Sequence, residues 1–138
     1  MITAGLTDSF KQQLLLGVHD FSTDTFKIAL YTSSATLGPT TTVYTATNEV
    51  SGTGYTAPGL VLTSVTVNLS QGVAYVSFTN PAWVGSTFTT RGALIYNATK
   101  SGKSVGVLNF GVDQTMLGQS FTIQLPTNNP ENALIRIN

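Results

Sequence analysis

The chain has 138 residues, enough for one domain with its own core, and no cysteine, which excludes a disulfide scaffold, thiolate metal sites and a cysteine nucleophile. Only 9% of its residues are charged, against about 25% in an average protein, so the surface must be mostly neutral and hydrogen-bonding. Six Lys and Arg balance six Asp and Glu, and the basic residues Lys11, Lys27, Arg91, Lys100, Lys103 and Arg136 are scattered; such a pattern builds no basic face, and neither nucleic acid nor membrane is expected as a partner.

The N-terminal stretch "MITAGLTDSFKQQLLLG" has no basic flank, and its one apolar run, Leu14-Leu15-Leu16, is too short for a leader or a spanning helix. Residues 7–17 read as the one helix. Thr7 is an N-cap, Asp8 sits in the first turn where the helix dipole favours it, and Gly17 closes the end. Phe10 and Leu14 share a face at the i, i+4 spacing, while Lys11, Gln12 and Gln13 favour water.

From Phe26 the hydrophobic period changes to two. "FKIALYT" at 26–32 reads as a strand. "LVLTSVTVNL" at 60–69 and "VAYVSF" at 73–78 read as a hairpin closed by Ser70-Gln71-Gly72. After Asn80-Pro81, Trp83 and Phe88 fall in a connecting segment. "RGALIYN" at 91–97 and "SVGVLNF" at 104–110 then form a second hairpin across "ATKSGK". "GVDQTMLGQ" reads as a loop, and "SFTIQL" at 120–125 and "ALIRI" at 133–137 as the closing strands. The Thr-rich stretch at 32–50 reads as a long exposed loop or arm, with a short edge strand near Val43-Tyr44. The expected fold is mainly β, a β-sandwich or jelly roll of about seven to eight short strands with one short N-terminal helix. It is one domain, in which a helix and arm at 1–25 precede a sandwich at 26–138.

Three motif matches fail on context. Gly52-Thr53-Gly54-Tyr55-Thr56-Ala57 spells a dinucleotide fingerprint, but a strand-like run follows where a helix must begin. Gly102-Lys103-Ser104 resembles the end of a phosphate loop, yet Asn97 stands where that pattern needs glycine. The same stretch through Gly106 spells a nucleophile elbow, again followed by a strand. The first reads instead as a compact glycine-bent turn with Tyr55 as anchor and Glu49 accepting backbone N–H bonds within it. His19, with Asp20 and Asp24 nearby, reads as a solvated turn in which the carboxylates cap local N–H groups. No cofactor, metal or catalytic residue is expected, and an enzyme such as a small hydrolase ranks last.

Taken together, "DSFKQQLLLGVHDF", "DTFKIALYTSSATLG", "TTTVYTATNEVSGTGYTAPG", "RGALIYNATKSGKSVGVLNFG" and "ALIRIN" resemble the capsid decoration, or cement, proteins of tailed bacteriophages. The resemblance implies a sandwich subunit that forms a homodimer or homotrimer on the outer surface of the virion capsid, bridging copies of the major capsid protein without catalysis. On this reading Phe10, Leu14, Tyr44, Glu49, Tyr55 and Trp83 are candidate interface residues. The alternative is a tail- or fibre-associated module binding a host surface glycan or receptor. That reading calls for Trp83 beside Tyr44 or Tyr55 on one exposed face.

Overall fold

The structure, a computed structural model, describes residues 1–138. It is mainly β, with two antiparallel sheets and one short helix near the N-terminus. In chain order the elements are β1 (Gly5–Leu6), α1 (Asp8–Leu15), β2 (Phe26–Tyr31), β3 (Leu60–Val61), β4 (Thr66–Ser70), β5 (Val73–Ser77), β6 (Ala82–Asn97), β7 (Lys103–Thr122) and β8 (Ile135–Ile137). One sheet has the order β1-β7-β6-β2-β3, the other β4-β5-β8. The Thr7 hydroxyl accepts the Phe10 N–H at 3.4 Å, and Gly17 takes φ 72° just past the helix, so both ends close as local chemistry requires.

Period-two alternation sorts β2 between two cores. Phe26, Ile28 and Leu30 join Ala93, Ile95 and Val105 on one face of the large sheet, and meet Phe10 of α1 with Val76, Phe78 and Ile135 of the small-sheet layer. This is the space between the layers, filled largely by rings: Phe21 stacks on Phe26 at 4.3 Å, and Trp83 on Phe121 at 5.8 Å. Ala29 and Tyr31 face the other way with Leu94, Tyr96 and Val107, where Ile2, Ala35 and Leu37 cover them. The N-terminal residues and the 32–50 stretch therefore roof the second face of the sheet. The expected exposed arm is folded down, because a sheet strand buried on both faces needs an apolar cover on each.

Other expectations change for related reasons. The run at 60–69 is two strands: Ser64 takes φ 53°, and the chain crosses there from the large sheet to the small one. The supposed connecting segment around Trp83 and Phe88 belongs to β6, and the supposed loop "GVDQTMLGQ" belongs to β7. Each supplies the other's hydrogen bonds, so long-range pairing carries the strands through Gly85-Ser86 in β6 and through the charged and glycine positions of 111–119 in β7, where the local pattern is broken. The register shifts between them, near Gly92 and the left-handed Gly111 and Gly118, are where the glycines misled a local reading. "SFTIQL" ends as a strand at Thr122. Of the eight strands, β6 with 16 residues and β7 with 20 are long.

Candidate functional site

The glycine-rich stretch 48–60 is hydrogen-bonded to the large sheet at both of its halves. β3 covers only the Lys27 and Ile28 positions of β2, and beyond it the stretch itself completes the edge. The Val50 N–H donates to the Leu30 carbonyl at 2.9 Å, the Thr32 N–H to the Asn48 carbonyl at 3.0 Å, and the Leu30 N–H to the Tyr55 hydroxyl at 3.1 Å. Farther on it lies along β6, where the Thr87 N–H donates to the Thr53 carbonyl at 2.8 Å. Such close approach explains two of its glycines. A Cβ on Gly52 would stand 2.4 Å from the Thr87 carbonyl oxygen, and one on Gly54 2.9 Å from the Ser86 Cα.

Glu49 is the hub. Its two carboxylate oxygens accept the hydroxyls of Tyr44, at 2.5 Å, and Tyr55. This corrects the expectation that Glu49 binds backbone N–H groups of its own turn: the partners are phenols from before and after it. Tyr31 donates to the Thr45 carbonyl and Tyr96 to the Pro58 carbonyl, both at 2.6 Å, and the Tyr44 and Tyr96 rings lie 4.8 Å apart. Burial first, then the neighbouring Glu49, raises the phenols of Tyr31, Tyr44, Tyr55 and Tyr96, the last to about 12. Neutral donors are what the carboxylate needs, so the cluster is a clamp that holds 44–59 on the sheet.

The remaining candidates divide by depth. Phe10, Tyr55 and Trp83 are core side chains, at 0%, 8% and 5% exposure. Leu14, Tyr44 and Glu49 are half-buried. Tyr55 and Trp83 do meet, at 6.4 Å between ring centroids, but inside the core rather than on an exposed face. The Gly102-Lys103-Ser104 match is the β6–β7 turn, where Asn97 pairs with Lys103.

His19 is the polar residue that sequence reasoning misplaced. It is buried, not solvated, with Phe10 at 5.0 Å and Phe26 at 6.3 Å. Asn97, fully buried, donates to His19 Nδ1 at 3.0 Å and to Asp24 at 2.8 Å, while Lys100 Nζ reaches both Asp24 oxygens at 2.9 Å. Since an amide nitrogen only donates, Nδ1 accepts and the ring proton sits on Nε2, toward Gln13 Oε1 at 2.8 Å. The carboxylates do cap N–H groups as expected: Asp20 binds that of Ser22, and Asp24 that of Asp20. The signal that would have found the cluster is the Asn97-x-x-Lys100 spacing opposite His19 and Asp24, which only the β2–β6 register brings together.

Burial lowers the His19 pKa, with Lys100 and Lys103 reinforcing the shift and Asp24 opposing it. The sign for stability follows. Below pH 6.5, the ordinary value, the unfolded imidazole takes a proton that the folded one resists, so stability falls as the solution is acidified from there. Burial would raise Asp24, but the bonds from Asn97 and Lys100 outweigh it and hold the carboxyl low, which adds a second loss below pH 3.8. The urea midpoint should drop between pH 7 and pH 5 in the native chain, and His19→Gln should flatten that slope.

No three His, Asp or Glu side chains converge as a metal site, and no helix is long and apolar enough to cross a membrane. Compared with family models, curated proteins and solved structures, the chain gave no match.

Proposed function

We propose that this chain is a non-enzymatic virion structural protein, a decoration or cement protein that binds the outside of a major capsid protein shell, stabilises it, and self-associates. The observation that carries the reading is how its chemistry is spent. Glu49 with its tyrosines, and His19 with Asn97, Asp24 and Lys100, are engaged in fastening long loops to the sheets. What remains outside is a charge-poor, Thr-rich surface suited to many modest contacts, which a repeating lattice multiplies by copy number. The buried Tyr55–Trp83 pair gives a sugar ring nothing to stack on, so the glycan-binding alternative stays second.

The test is the copy number of the chain relative to the major shell protein in purified particles, by stained-gel densitometry. A ratio near one, or a simple fraction of it, is expected. A few copies per particle would sink the capsid reading and move the protein to the tail.

A further inference from the structure

The small sheet has two edge strands, β4 and β8, of which β4 is the longer, with five residues against three. In the order β4-β5-β8, β4 is an edge strand over Thr66–Ser70. Its hairpin with β5 turns through Gln71 and Gly72, both left-handed, with φ 53° and 77°. Such a two-residue turn makes Ser70 and Val73 a hydrogen-bonded pair, and bonded and non-bonded pairs alternate from there. Thr66, Asn68 and Ser70 thus spend their N–H and C=O groups on β5, while Val67 and Leu69 point theirs outward. Natural edges are guarded by Lys, Pro or a bulge. "TVNLS" has none of these.

The same two residues expose apolar side chains, Val67 by 56% and Leu69 by 78%. By register they share a face with Ala74, Val76, Ile135 and Ile137. Val76 and Ile135 are core, but the face runs on past it, and Ile137 is 53% exposed. A cavity of about 110 Å³ opens there between Leu14 and Phe21 on one side and Val67, Val76 and Ile137 on the other. Leu15 and Leu16, which follow Leu14, are 89% and 70% exposed.

We infer that the β4 edge binds the β4 edge of a second copy, antiparallel, about a twofold axis at Asn68. The parity of the edge carries this. An axis at Asn68 sets Val67 opposite Leu69 of the second copy and Leu69 opposite its Val67, so every outward group meets a complementary one and each such pair exchanges both of its bonds. Two identical charged edges would repel, but no residue from Thr66 to Ser70 is charged, and the chain's formal net charge is zero. Val67, Leu69 and Ile137, all more than half exposed, flank the paired edge and are the apolar side chains it would cover. An isologous edge closes as a dimer, so this surface does not build a trimer. The inference gives the proposed self-association a surface and a symmetry.

The experiment uses the purified chain without particles, so it stands or falls separately from capsid binding. Light scattering at tens of micromolar should give about 29 kDa, twice the 14.6 kDa of one chain. Leu69→Lys should return it to the monomer mass, whereas Leu117→Lys, at a site 75% exposed on the β6–β7 hairpin, should leave the dimer intact. Amide exchange at Val67 and Leu69 of the native chain should slow about tenfold or more from dilute to concentrated solution, and this decides the matter even where Leu69→Lys fails to fold. A monomer at these concentrations, or a dimer whose Val67 and Leu69 amides still exchange as an open edge, overturns the inference.

Discussion

Gly59→Ala should cost about 2–5 kcal/mol of folding stability, combining the overpacking penalty with that of a left-handed side-chain residue. The added Cβ would stand 2.2 Å from the Ile28 carbonyl oxygen and 2.8 Å from its carbon, on a backbone with φ +107°. Neither neighbour can move without breaking the register of β2, which is buried on both faces. Gly72→Ala separates the two causes. Gly72 also has positive φ, +77°, but nothing lies within 4 Å of its Cβ position, so about 1 kcal/mol of backbone strain should be its whole effect. Urea unfolding of both variants at pH 7 measures the difference. Equal midpoints would mean that the 48–60 stretch yields at no cost and is not clamped to β2.

Glu49→Ala should lose about 2–4 kcal/mol, because two charge-assisted hydrogen bonds go and a buried phenol is orphaned. The two tyrosines respond differently. Tyr44 is half-buried and can turn its hydroxyl to water, but Tyr55 is 8% exposed and its hydroxyl already accepts the Leu30 N–H. Glu49→Gln keeps one acceptor and should lose about half as much. A cycle with Tyr55→Phe should show a coupling of about 1.5 kcal/mol or more between positions 49 and 55. Additivity within ~0.5 kcal/mol would reduce Glu49 to a surface carboxylate. In particle binding, loss in Glu49→Ala with a folded sandwich would place the clamped loop at the contact, whereas unchanged binding would make it purely structural.

The site was only half readable from the sequence. The glycines, Tyr55 and Glu49 of 48–60 announced a shaped turn, and the run after Pro58-Gly59 announced a strand, β3, where a dinucleotide fingerprint is followed by a helix. Yet the partners of Glu49 come from Tyr44 before the turn and Tyr55 within it, and the glycines are needed because β2 and β6 pass beneath. His19 shows the same limit: its surroundings depend on Asn97, 78 residues away.

What the sequence determined by itself was everything governed by local rules. Thr7 and Gly17 bound the helix, and the period of two marked β2 and both hairpins. Only the tertiary structure decided that 82–90 and 111–119 are strands, that 32–50 roofs a sheet instead of reaching out, and that Phe10, Tyr55 and Trp83 lie inside. In those segments glycines, and Pro39 in 32–50, interrupt the local pattern, so the outcome is set by which distant backbone supplies the hydrogen bonds and which apolar face needs covering.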